Sequence, residues 1–168
     1  HPGEEAVLLS AYDGARRQVP GLRLILVPRD PARAATLCRM AARHAHAGRL
    51  YSALETAAAP PLDGVVVVDR MGELARLLAL AQVAFIGGSL VPSGGHNPLE
   101  AAAHGVPLLM GPDMRDFQTM ADFLEAGGGA LRVATATDIG HHVASLITSG
   151  QGRRMGATAV LGPLPRAD

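Results

Sequence analysis

A chain of 168 residues that is 48% hydrophobic and 18% charged is long enough for one domain with a buried core and too apolar for a disordered polymer. Basic and acidic residues number 15 each, so the formal net charge is zero, which argues against a nucleic-acid binder with its usual basic excess. Every basic residue is arginine, which excludes a Schiff-base or P-loop lysine within this chain, and the lone Cys38 excludes an internal disulfide or a cysteine metal cluster and suits the cytosol. With aromatics at 3%, the core has to be built from Ala, Leu, Val and Met.

The chain opens on HPGEE, a polar stretch without a Met or a signal-peptide pattern, and it is expected to be a fragment of something longer. Glu4–Gln18 then places Val7, Leu8, Ala11 and Ala15 on one helical face. Gly21–Asp30 is an apolar run that reads as a strand, and Pro31 opens a helix to about Ala45, a position proline tolerates in a first turn. Gly64–Arg70 and Gln82–Gly88 are further strands, separated by a short helix at Glu73–Ala81. A helix over Pro98–His104, a strand in Gly105–Gly111 and a helix over Asp116–Glu125 follow. Gly128–Ala134 is a weaker strand, and Thr137–Ser149 is a helix with Thr137 or Thr135 as its cap. The longest apolar run, roughly Leu77–Val91, is shorter than the ~20 residues of a membrane span. Gly162–Asp168, with two prolines, reads as a disordered tail after a domain over residues 1–161.

Alternation of helix with uniformly apolar strands predicts an α/β fold with a doubly wound (Rossmann-like) parallel sheet. Ligands of such sheets bind at the carboxyl ends of the strands. The loops there read PRDP, DRMGE, GGSLVPSGGHNPLE and GPDMRDF. In the third, Gly87, Gly88, Gly94 and Gly95 allow close backbone approach. Asn97 and Pro98 suit the cap and first position of the next helix, whose N–H groups would face an anion. Glu100 then either closes a capping box or accepts hydrogen bonds from ribose hydroxyls. Lacking lysine and the GK[ST] ending, the loop is no Walker motif, and it is not GxGxxG. Glu73 is either a first-turn acid or, with Arg70–Gly72, the edge of a base pocket. Arg29 either pairs with Asp30 or meets a phosphate. The seven histidines form no metal set, His44 and His46 being two apart and HExxH absent, and Ser89 and Ser93 lack a nucleophile-elbow context.

HPGEE at His1–Glu5, LILVPRDPAR at Leu24–Arg33, DRMGEL at Asp69–Leu74 and FIGGSLVPSGGHNPLEAAAHGVPLLMGP at Phe85–Pro112 resemble, in order and spacing, the C-terminal half of bacterial 3-deoxy-D-manno-octulosonic acid (Kdo) transferases. The GGHNPLE segment, Gly94–Glu100, is the most specific part of that resemblance. It implies the C-terminal half of a B-type glycosyltransferase, an inverting enzyme that moves Kdo from CMP-Kdo to a lipid A precursor at the cytoplasmic face of the bacterial inner membrane. Arg29 and the corner Met71, Gly72 and Glu73 would line the CMP pocket. Asn97 with Gly94 and Gly95 would meet the phosphate, Glu100 would hold ribose, and His1, Gly3 and Glu4 would stand near the interdomain cleft. No metal and no cofactor beyond CMP-Kdo as donor substrate is implied. The general base, the acceptor surface and the membrane anchor belong to an N-terminal domain, so no catalytic residue is expected here and this domain alone would be inactive. The family's histidine after Arg29 is Asp30 in this chain, and its proline after the motif glutamate is Ala101. The alternatives are a B-type transferase or epimerase using a UDP-sugar, and a non-catalytic nucleotide-binding module.

Overall fold

The computed structural model describes residues 1–54 and 64–150. Helix α1 (Glu5–Arg16) leads into β1 (Arg23–Leu26), α2 (Ala34–Arg43), β2 (Gly48–Leu50), α3 (Tyr51–Leu54) and β3 (Gly64–Val67). Then come α4 (Leu74–Leu80), β4 (Ala84–Ile86), α5 (Leu99–Ala103), β5 (Leu108–Met110), α6 (Gln118–Ala126), β6 (Ala130–Arg132) and α7 (Ala136–Thr148). The strands form two three-stranded parallel sheets, ordered β1-β3-β2 and β4-β5-β6. Arg23 stands opposite Gly64 in the first, and Ala84 opposite Leu108 in the second. Parallel strands need crossovers, and helices supply them, which makes this the doubly wound, Rossmann-like α/β fold.

The central strands explain why unbroken apolar runs signal this topology. Val65, Val66, Val67 and Val68 are all buried, as are Leu108, Leu109 and Met110, because both faces of β3 and β5 are covered. Helix α1 joins the two sheets. Its Leu9 and Tyr12 pack with Leu26, Val65 and Val67, while Ala11 packs with Leu109 and Ile139. The Tyr12 hydroxyl bonds the carbonyls of Leu22 and Gly64 at 2.9 and 3.1 Å. Where α1 meets α7 the side chain is a hydrogen: a Cβ on Gly140 would lie 2.8 Å from the Ala11 carbonyl oxygen.

Several boundaries differ from the sequence expectation. The helix expected from Pro31 to Ala45 starts as a 3₁₀ turn at Pro31–Arg33, because the Asp30 carboxylate accepts the Ala32 N–H at 3.0 Å. The Arg29–Asp30 pairing is thereby replaced by a cap. Strand β2 and helix α3 were not expected, since Gly48-Arg49-Leu50 is short and only half-buried. Gly48 is required there, as a Cβ would sit 2.8 Å from the backbone of Cys38. Cys38 packs at the margin of the core, and burial pushes its thiol up. Of the two cap candidates for α7, Thr135 is used, in a capping box with Asp138. The tail at Gly162–Asp168 lies outside the described residues.

His44 and His46 do meet, though not on a helix face. Helix α2 ends at Arg43, Ala45 takes φ 58°, and the turn brings both rings to Asp13 on α1. His44 Nδ1 stands 3.2 Å from one carboxylate oxygen and His46 Nε2 is bonded to the other. No group of three or more His, Cys, Asp or Glu among the described residues could hold a metal ion.

Candidate functional site

Parallel strands place the loops after β1, β3, β4 and β5 at carboxyl ends, where the sequence analysis placed its candidate residues. The loop from Gly87 to Asn97 is held from within. Gly95 N–H donates to the Gly88 carbonyl and His96 N–H to the Gly87 carbonyl, both at 2.9 Å. Gly94 N–H donates to Asp113 Oδ2 at 2.9 Å. That bond is the main reason the Asp113 carboxyl lies below its ordinary value. Gly88, Gly94 and Gly95 take φ of 71°, 84° and 79°, a region that side chains rarely adopt. A Cβ on Gly94 would overlap the Asp116 carboxylate. Ser89 ties the loop to the next strand: its hydroxyl donates to the Ile86 carbonyl and accepts the Gly111 N–H at 2.8 Å.

The N–H groups of Gly88, Gly94 and Gly95 are therefore already engaged within the protein. The N–H groups of Gly95 and His96 are used inside the loop, that of Gly94 goes to Asp113, and those of Gly88, Ser89 and Leu90 bond the carboxylate of Glu4, at 2.6, 2.9 and 2.8 Å. The flanking helix also begins one residue later than expected. Pro98 is its N-cap and α5 has only five residues, so its dipole is small. Asn97, expected as the cap, stands one position before it, and its Oδ1 accepts the Leu99 N–H at 3.0 Å. His96 packs its ring on Gly87 and Gly88, where a Cβ on either would stand 3.3 Å from ring atoms. Burial above all, with the nearby charge of Arg29 adding to it, lowers the His96 imidazole, while Glu4 acts the other way.

The Met71–Gly72–Glu73 corner follows β3. Met71 is 73% exposed and Gly72 has φ 89°. Glu73 is neither a side-chain cap nor idle. Its carboxylate accepts from Arg70 Nε at 2.8 Å and the Tyr51 hydroxyl at 3.2 Å, with Arg76 at 3.5 Å. Arg70 also lies 5.0 Å over the Tyr51 ring. Asp69 is fixed by Ser52, whose hydroxyl hydrogen bond is the main cause of its lowered carboxyl.

Several polar groups at these strand ends have no internal partner among the described residues, the Asp116 carboxylate and the buried His96 Nε2 among them. Arg29 is exposed and makes no ion pair, the Asn97 side-chain NH2 donates to nothing, and the Glu100 carboxylate makes no hydrogen bond. The capping-box alternative for Glu100 is not formed, since its carboxylate accepts no backbone N–H. Sequence reasoning missed Glu4 as a loop ligand, Asp113 as the Gly94 partner, and His96 as the ring that fills the space above the glycines. For Glu4 a signal existed: it precedes Leu8 by one helical turn, on the face that enters the core. A separate open cleft beside β6 is lined by Pro112, Gln118, Arg132, Val133, Ala134 and Asp138, none of them an expected site residue.

No family model matches the chain. It is 31% identical over 139 residues to the 3-deoxy-D-manno-octulosonic acid transferase of Aquifex aeolicus, covering 83% of this chain and 37% of that protein. The enzyme of the same name from Haemophilus influenzae is 32% identical, over 91% of this chain and 36% of its own length. That of Bordetella pertussis is 36% identical, over 80% and 32%. The chain thus spans about a third of the length of these relatives. Among solved structures, the C-terminal CMP-Kdo binding domain of WaaA from Acinetobacter baumannii superposes with a TM-score of 0.84 at 28% identity, covering 95% of this chain and 82% of that one.

Proposed function

We infer that this chain, which belongs by sequence and fold with the C-terminal part of the bacterial Kdo transferases, binds the nucleotide of a CMP-Kdo donor at the carboxyl ends of its strands. The observation that carries this reading is the division of polar groups at those ends. The backbone donors of Gly88–Leu90 and Gly94–His96 are taken up by Glu4, Asp113 and the loop's own carbonyls, and the side chains without an internal partner include a cation, a neutral donor and a carboxylate: Arg29, Asn97 and Glu100.

That set matches a nucleoside monophosphate. Arg29 and the Asn97 NH2 supply positive potential to the phosphate, and the Glu100 carboxylate accepts from two adjacent ribose hydroxyls. Gly94 and Gly95 shape the loop so that Asn97 and Glu100 stand at its end. Exposed Met71, with Gly72 beside it, offers an apolar edge to the base, and Glu73 holds that corner through Arg70 and Tyr51. When the glycosidic bond breaks, negative charge grows on the departing phosphate, and groups already in place for it lower the barrier. The acceptor hydroxyl has to lose a proton to a base outside this chain. Transfer to a lipid A precursor is the reaction this domain would serve within the longer protein.

Calorimetric titration of the chain with CMP and with UDP tests the reading. CMP is expected to bind more tightly, and tighter binding of UDP would replace the Kdo donor by a UDP-sugar.

A further inference from the structure

Glu4 is a wholly buried carboxylate far from Gly88–Leu90 in sequence, yet it receives three consecutive N–H groups of that segment. Burial of an ionised carboxylate is unfavourable unless it is hydrogen-bonded, and three charge-assisted bonds are what this one has. Successive N–H groups turned to one point make an anion nest, the device that loops elsewhere use to hold a phosphate. Here the protein fills its own nest.

The consequence follows from peptide planarity. The Gly88 N–H shares a peptide plane with the Gly87 carbonyl, and the Ser89 N–H shares one with the Gly88 carbonyl. Turning those N–H groups to Glu4 turns the two carbonyls the opposite way, and those carbonyls accept the N–H groups of His96 and Gly95. The returning strand of the loop is therefore hung on two planes that Glu4 orients. Asn97 comes next in the chain and Glu100 one turn later.

We propose that Glu4 is a positioning residue for nucleotide binding, which fixes the peptide planes of Gly87–Ser89 and through them the stance of Asn97 and Glu100. This rests on the nucleotide reading above, and its own test does not depend on that reading. In the full chain, amide hydrogen exchange followed by NMR should find Gly88, Ser89 and Leu90 strongly protected in the wild type, and CMP should leave them so. Exchange at the rate of exposed loop amides, or their release by CMP, overturns the proposal without any variant having to fold. Glu4→Gln should strip protection from Gly95 and His96 and weaken CMP binding about tenfold. Glu5→Gln is the control. Glu5 is equally buried at the same helix start but faces Arg33, at 2.7 Å, and not the loop, so its loss should leave Gly95, His96 and CMP affinity as in the wild type. Unchanged protection at Gly95 and His96 in Glu4→Gln, or equal loss in Glu5→Gln, refutes the positioning role. If the wild type does not bind CMP, the nucleotide reading fails, and the protection pattern still decides the role of Glu4.

Discussion

Alanine at two helical glycines should move stability in opposite directions. Gly14 in α1 and Gly140 in α7 both occupy helix interiors at ordinary φ, where alanine is preferred by about 0.5–1 kcal/mol. Around Gly14 an added Cβ meets nothing within 4 Å, so that preference stands alone. At Gly140 the Cβ would lie 2.8 Å from the Ala11 carbonyl oxygen and 3.6 Å from the Ala15 nitrogen. Those are backbone atoms of a packed helix, and overpacking of this kind costs about 1–3 kcal/mol. A backbone contact below 3.0 Å belongs to the upper part of that range, about 2–3 kcal/mol, so the clash outweighs the propensity and leaves Gly140→Ala less stable by about 1–2.5 kcal/mol. At roughly 2–4 °C per kcal/mol for a domain of this size, its melting temperature should fall by about 2–10 °C, and that of Gly14→Ala should rise by about 1–4 °C. Thermal unfolding followed by circular dichroism reads both. A Gly140→Ala protein as stable as the wild type would refute the close contact of α1 and α7 on which the joining of the two sheets rests.

Glu100→Gln should weaken CMP binding about tenfold while shifting the ligand-free melting temperature by no more than about 1 °C, because the exposed carboxylate has no partner to lose; a large loss of ligand-free stability would make it a structural residue. Burial raises the Asp13 carboxyl, but hydrogen bonds from His46 and His44 outweigh this and leave it below its ordinary value of 3.8. A lowered folded value contributes stability that is present above about pH 4 and lost as the pH falls through the folded value. Asp13→Asn should therefore flatten the acid limb of the melting temperature against pH, and an unchanged slope would contradict the assignment. Thr135→Ala removes one half of the capping box on α7 and should cost about 1 kcal/mol, or about 2–4 °C; no change on unfolding would show that Asp138 alone holds the helix start.

Much of this architecture is legible in the sequence, for a physical reason. Strands covered on both faces have to be apolar throughout, so GVVVV and GVPLLM declare themselves, and with them the parallel sheet and its functional edge. Strand β2 escapes the same reading because it is short and half-buried, and Gly48 is there for the Cys38 backbone, which no local pattern reveals. Of the candidate residues, the positions of Arg29, Asn97 and Glu100 are legible because strand ends and helix starts fix where they stand. The destination of the glycine N–H groups is not. It depends on Glu4, more than eighty residues away, and on His96, whose ring occupies the space that glycine leaves open. The Asp13 pairing is hidden likewise, since positive φ at Ala45 is what brings two histidines, spaced wrongly for a helix, to one carboxylate.

The central claim, that a cytidine monophosphate donor is held at the carboxyl ends of the strands, is tested most directly by following backbone amide shifts during CMP titration. Saturable shifts should concentrate at Arg29, Met71–Glu73 and Asn97–Glu100, with UDP producing the same map at higher concentration. Shifts centred on the Arg132 cleft beside β6, or a map that saturates with UDP before CMP, would contradict it.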